Sequence, residues 1–257
     1  MEGVLPQHDR VVPPRDRRDP GSYIEESVTM SRPKKSEQNG RATGELIYEA
    51  SVELMHDRGF HGTSMRDVAK EVGIQMSTLY YYYESKQALL HYIMTRVTNA
   101  LADMVRASIS GETDPTSQLE SAITAHIEFH ARRPKEARVA ETELRYVEPD
   151  KLKSVIDVRD EYEEIFASIL RAGQASGDFA PVDIRIAVRA MLVSLTDVAT
   201  WFKPGGRLKL DEVSRFYREI FIEGLKVRSD GAVNQDWPVG RGEVTVSQRT
   251  SAFGLDS

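Results

Sequence analysis

Four consecutive phenol groups, Tyr80 to Tyr83, stand in the stretch GIQMSTLYYYYESK between Gly73 and Lys86. A phenol joins a flat apolar ring to a hydroxyl donor, so such a run suits either core packing or contact with a phosphate-bearing surface. His126 and His130, in HIEFH, are four apart and share a helical face, which is a spacing for two metal ligands with Glu141 or Glu143 nearby. The string is not H-E-x-x-H, because its Glu falls third, and no further ligand is evident; partly buried histidines are the plainer reading. The basic cluster ARRPKEAR reads as a solvated face, or less plainly as an opening for a phosphate-bearing ligand. DVRDEYEE reads as charge patterning on a long helix. There are no cysteines, which excludes disulfides, thiolate metal sites and a Cys nucleophile and suits a reducing cytoplasm. No P-loop, G-x-S-x-G or paired-carboxylate constellation occurs, so no catalysis, metal or cofactor is expected.

These residues must be positioned by elements, and the punctuation of the 257-residue chain is helical. The formal net charge of −6 argues against indiscriminate binding of polyanions but leaves room for a local contact surface. No apolar run approaches 18 residues and the N-terminus lacks an apolar leader core, so neither a membrane span nor export is expected. Residues 1–40 (RVVPPRDRRDPGS, MSRPKKSEQNG) and 229–257 read as a disordered arm and tail. Between them about nine helices are expected. Leu46, Ala50 and Leu54, with Ile47 and Met55 beside them, give the first helix an apolar face that stops at Gly59. Ser64 with Asp67 three residues on starts a second. Pro115, Pro134, Pro149 and Pro181 fall at later helix ends. Two strongly amphipathic helices close the set, near Asp183–Phe202 and Asp211–Val227, the first apolar over most of its circumference and so expected to be largely buried. The fold class is all-α.

The neighbours of the tyrosines then decide their role. Two helices crossing steeply need a small residue at their contact, Ala69, and a glycine able to take positive φ at the turn, Gly73. Val68, Val72, Ile74, Leu79 and Tyr82 supply the packed faces. Gln75, Met76, Ser77 and Thr78 open the second helix with the small or polar side chains that suit an end directed at base edges. Tyr82 and Tyr83 should pack inward, while Tyr80 and Tyr81 project outward, where a hydroxyl meets a phosphate. The segment reads as a helix-turn-helix.

HGTSMRDVAKEVGIQMSTLYYYYESKQALL thereby resembles the DNA-binding domain of TetR-type transcriptional regulators, whose pattern runs T-x-x-x-I-A-x-x-A-G-V-S-x-x-x-L-Y-x-Y-F-x-x-K-x-x-L. Thr63 or Ser64, Val68, Ala69, Gly73, Leu79, Tyr80, Tyr82, Lys86 and Leu89 occupy its fixed places. Gln75, Met76, Tyr81 and Tyr83 depart from it where bases are read, which bears on the operator sequence. The resemblance implies an N-terminal three-helix DNA-binding domain at 41–88, a helical ligand-binding and dimerisation domain at 89–228, and a homodimer on double-stranded operator DNA. It also implies contacts from Lys86 to a phosphate and from the hydroxyls and amides of Thr63 and Ser64. Arg32, Lys34 and Lys35 lie where such proteins reach a minor groove. From Arg41 to Lys86 five basic residues face seven acidic ones, a net −2, with Glu45, Glu49, Glu53 and Asp57 on the first helix, which can face away from DNA.

ATWFKPGGRLKLDEV resembles the W-[FY]-[KR]-P-G-G segment of a TetR subgroup that includes repressors of lipid and steroid catabolism, several responding to coenzyme A thioesters. Members that grip an acyl-CoA carry Arg or Trp one, two and three turns earlier on that helical face; here Thr200, Thr196 and Leu192 stand there. The expected effector is a small apolar or amphipathic molecule, an acyl-CoA thioester among the options, held by Tyr162, Thr196, Thr200 and Trp201. A ligand-responsive cytoplasmic repressor is the leading expectation. The alternative, carried by the acidic balance and by Gln75–Met76, is a helical partner-binding protein that kept the fold and lost DNA recognition.

Overall fold

The computed structural model describes residues 35–227, with side chains from position 42. The expected N-terminal arm up to 34 and the tail from 229 lie outside the described residues. Helix α1 spans Lys35–Arg58, so residues 35–40 of the expected arm are helical. Among the described residues there is no strand, only one antiparallel bridge between Phe179 and Lys226.

Local chemistry sets each boundary. Gly59 (φ 70°) takes the left-handed position that ends α1, and Phe60 folds back into the core. α2 (Met65–Val72) opens on a full capping box: the Ser64 hydroxyl accepts from the Asp67 amide, and the Asp67 carboxylate accepts from the Ser64 amide. Gly73 (φ 74°) ends it, and Gln75 precedes α3 (Met76–Tyr82). Ser85 caps α4 (Lys86–Ile109), and Asp114 caps α5 (Pro115–Arg132). Pro115, Pro134 and Pro149 each occupy the first turn of a helix, where their missing N–H is no loss; the last two open α6 (Pro134–Thr142) and α7 (Pro149–Ser176). A 3-10 turn, Leu144–Tyr146, joins α6 to α7.

Two expectations about helix faces are corrected. Leu46 is 53% exposed; the buried stripe of α1 runs through Ile47, Ser51, Leu54 and Met55, one residue away from the face anchored on Leu46. The expected helix near Asp183–Phe202 is two pieces, α8 (Ile184–Thr196) and α9 (Val198–Trp201), divided at Asp197. It is not largely buried either: Val188, Met191, Leu195 and Val198 are inside, while Ile186 and Val193 face outward. α10 (Leu210–Leu225) completes the set and leaves Phe216 and Ile220 exposed.

The core lies where α4, α5 and α7 pack together, through Leu90, Ile93, Met94, Leu119, Ile123, Ile127, Phe166 and Leu170. Burying each such side chain is worth roughly 1.5–3 kcal/mol over leaving it in water. α4 packs against α1 as well as against α5 and α7, so one helix joins the α1–α3 unit to this core.

Candidate nucleic-acid interface and ligand cavity

α2 and α3 meet through Val68, Ala69 and Leu79, all nearly inaccessible, with Val72, Ile74 and Met76 half-buried beside them. This packing sorts the four tyrosines as their spacing predicts. Tyr82 and Tyr83 turn inward, the latter against Tyr92 at 5.3 Å, while Tyr80 and Tyr81 are 49% and 85% exposed. Gln75 and Ser77 are also exposed, Thr78 is half-buried, and Met76 is drawn toward the core by its apolar chain. Arg66 and Lys70, four apart on the outer side of α2, add two exposed cations.

Two expected contact residues have internal duties. Thr63 is 1% exposed and its hydroxyl donates to the Gly59 carbonyl at 3.0 Å, so it supports the turn and offers nothing outward. The Lys86 ammonium donates to the carbonyls of Phe60 and Thr63, 2.9 Å each, and lies 4.1 Å from the centre of the Phe60 ring. Its physical cause is the turn itself: Phe60 and Thr63 carbonyls converge where a cation can hold both. Ser64 is exposed, but its hydroxyl and amide both donate to Asp67, whose carboxyl they hold below its usual range, the hydroxyl most strongly. The acids of α1 are partly engaged elsewhere: Glu45 with Arg96 of α4, and Glu53 with Lys135 of α6.

A second feature is a cavity of about 430 Å³ walled by α4 to α9. Leu101, Ala137, Leu192 and Val193 give it apolar surface. Three arginines (Arg138, Arg159, Arg189) and three acids (Glu141, Glu163, Asp197) line it as well. Arg159 donates to the Ala140 carbonyl and to Glu141, at 2.7 and 3.2 Å. Of the expected pocket residues, Tyr162, Thr196 and Thr200 line it, and Thr200 is tied back to Asp197. Trp201 does not; it is 40% exposed at the end of α9, where the next position on the helix after Thr200 points in a different direction. Arg189 lies one turn before Leu192 on the same helical face, beyond the three positions that the resemblance compares. Arg159 and Glu163 were hidden in what reads as surface charge patterning.

His126 and His130 lie in this wall with rings stacked at 4.2 Å. Both nitrogens of His126 are engaged, by the Tyr162 hydroxyl (2.6 Å) and the Thr196 hydroxyl (3.1 Å), and His130 Nδ1 meets the His126 carbonyl. Glu143 is likewise committed, so these groups are a hydrogen-bonded wall and no metal-ligand cluster of three occurs among the described residues. Burial pushes His126 well below the ordinary imidazole range, with neighbouring His130 adding to it, and pushes His130 down to about 4.

The wall is connected to the helix-turn-helix unit. Glu141 and Thr142 of α6 line the cavity; the next residue, Glu143, is buried and accepts the Phe60 amide at 2.9 Å and the Thr142 hydroxyl at 3.0 Å. Tyr146 stacks on Phe60, and Gln87 donates to the Tyr146 carbonyl. Comparison with known proteins agrees with this layout. Residues 47–93 match the model for bacterial regulatory proteins of the tetR family, and 112–225 match the tetracyclin repressor-like C-terminal domain. The chain belongs to the TetR family. The HTH-type transcriptional repressor KstR2 of Rhodococcus jostii is 26% identical over 192 residues, which cover 74% of this chain and 93% of that protein. A tetR-family regulatory protein from Rhodococcus RHA1 superposes with a TM-score of 0.68 at 25% identity, covering 72% of this chain and 98% of its own. AibR, solved with isovaleryl coenzyme A and operator DNA, shares the fold (TM-score 0.64, 22% identity, 69% and 97% covered). Transcriptional regulation through a helix-turn-helix is thus the family's function, and this TetR chain has the fold's N-terminal helix-turn-helix and C-terminal helical domain.

Proposed function

We propose that this TetR-family protein is a homodimeric repressor that holds a palindromic operator and releases it when an amphipathic effector fills the cavity. The observation that carries the reading is the Glu143–Phe60 hydrogen bond, which ties a cavity-lining helix to the turn before α2. Residues 41–88 serve as the DNA-binding domain, and 89–228 bind effector and form the dimer. On the DNA side, Ser64, Gln75, Met76, Ser77, Thr78, Tyr80 and Tyr81 make the contacts, with Arg66 and Lys70 meeting phosphates. Lys86 and Thr63 position the turn from behind.

The exposed Ile186 and Val193 on α8, with Phe216 and Ile220 on α10, support a dimer in which two copies pair these helices in a four-helix bundle. Val193 also lines the cavity, so the partner would cover one side of it. Arginines beside an apolar wall suit an anionic head on an apolar body, and an acyl-CoA thioester has both; a phosphate would compete with Glu141 for Arg159. A hundredfold release of operator needs about 2.7 kcal/mol of differential affinity between the two head spacings.

Selection from a genomic fragment library, followed by anisotropy on the recovered site with acyl-CoA added, tests the reading. Expected are one inverted repeat and its release by the thioester. Random fragments would favour the partner-binding alternative, and a recovered site that no acyl-CoA releases would remove the thioester from the proposal.

A further inference from the structure

Neutral His126, the Tyr162 phenol and the Thr196 hydroxyl hold three polar hydrogens between them. They form two hydrogen bonds, Tyr162–His126 and His126–Thr196, so one hydrogen is left over whichever tautomer the imidazole adopts. If His126 Nδ1 carries the proton, the surplus donor is the Tyr162 hydroxyl. If Nε2 carries it, the surplus donor is Thr196. The lengths fit the second arrangement: 2.6 Å suits a phenol donating to Nδ1, and 3.1 Å suits an N–H donating to a hydroxyl oxygen. Either way the surplus hydrogen belongs to a residue that lines the cavity.

His130 supplies the complement. Its Nδ1 meets the main-chain carbonyl of His126, which can only accept, so Nδ1 carries the hydrogen. In a neutral ring Nε2 is then a bare acceptor, on a side chain only 5% exposed and lining the same cavity. The two imidazoles stack with ring centres 4.2 Å apart and line the same cavity, so the surplus donor and the surplus acceptor belong to one stretch of its wall. A ligand that displaces water from these two groups without replacing its hydrogen bonds forfeits about 1–3 kcal/mol for each.

We infer that this stretch of the cavity wall recognises a hydroxyl group on the apolar body of the effector. An alcohol accepts from the Tyr162–His126–Thr196 chain and donates to His130 Nε2. A ketone satisfies the donor alone, and a saturated chain satisfies neither. The inference rests on the effector reading above and narrows it from amphipathic acids to hydroxylated ones.

Calorimetric titration of the full-length protein with decanoyl-CoA and its positional hydroxy and oxo isomers tests this. The expected result is one hydroxy isomer binding at least tenfold tighter than decanoyl-CoA, with its oxo counterpart in between. His130→Leu should remove the advantage of the alcohol over the ketone. The variant His126→Leu/Tyr162→Phe/Thr196→Val, whose wall is apolar throughout, should reverse the order so that decanoyl-CoA binds tighter than the alcohol. Equal binding of all thioesters by the wild-type protein, or an advantage that survives the apolar wall, overturns the inference and leaves the effector reading standing. Failure of every thioester to bind removes that reading and this inference together. The wild-type ranking decides the matter even if the triple variant does not fold.

Discussion

Tyr81 and Lys86 stand five positions apart in one motif and do opposite work. The Tyr81 ring is almost wholly in solvent, so Tyr81→Ala should leave the melting temperature unchanged while weakening operator binding at least tenfold by anisotropy. Lys86 joins two carbonyls and the Phe60 ring, so Lys86→Ala should cost about 1–3 kcal/mol in denaturant unfolding. A Lys86→Ala protein with full stability and a shallower salt slope would instead return Lys86 to the phosphate. His130 carries a pH dependence whose sign follows from burial. Its folded pKa, about 4, lies below the ordinary value near 6.5, so the unfolded state takes up the proton first as pH falls. Stability should therefore be undiminished above pH 6.5 and decline down to about pH 4, by up to roughly 3 kcal/mol from this group. Unfolding of wild type and His130→Leu across that window checks it: the variant should lose less.

At the scale of elements, α6 is the link worth testing. Ala137, Arg138, Glu141 and Thr142 of α6 border the cavity, and the residue just past its C-terminus, Glu143, holds the amide of Phe60. Replacing Glu143 by Ala leaves that buried N–H without an acceptor, at a cost of about 1–3 kcal/mol. Glu143→Gln keeps an acceptor oxygen and should recover most of that stability. If the bond also transmits the signal, Glu143→Ala should bind effector yet release operator less than wild type does. Unaltered release in a folded Glu143→Ala protein would mean that coupling runs through α4 or the Phe60–Tyr146 stack alone.

For the whole molecule, the unburied apolar side chains of α8 and α10 are the decisive feature. A charge placed among them should cost little in the folded monomer and much in a dimer. Phe216→Glu is therefore expected to give a monomer by sedimentation with its helical content intact. It should also lose operator affinity, because two half-sites would no longer be held together. A Phe216→Glu protein that remains dimeric would show that the copies pair through another surface.

Side-chain type and spacing alone determined the helical class, the turn at Gly73, and the division of four tyrosines into an inner and an outer pair. These depend on local geometry: capping hydrogen bonds, positive φ, and the angle between successive residues on a helix. The same local rules misplaced Leu46, since neighbouring positions on α1 are equally apolar and only the packed partner selects the buried stripe. Lys86 and Thr63 fitted the motif by position, but their roles depend on carbonyls more than twenty residues away in one case and on burial in the other. Tyr162, Thr196 and Thr200 were legible in the sequence as cavity residues, but the arrangement of their polar atoms depended on tertiary structure. His126, Tyr162 and Thr196 come from three different helices, and no periodicity along the chain reports that their polar atoms converge. Nor could charge patterning show that Arg159 and Arg189 turn toward a common space, because that is set by how α7 and α8 pack and not by either helix on its own.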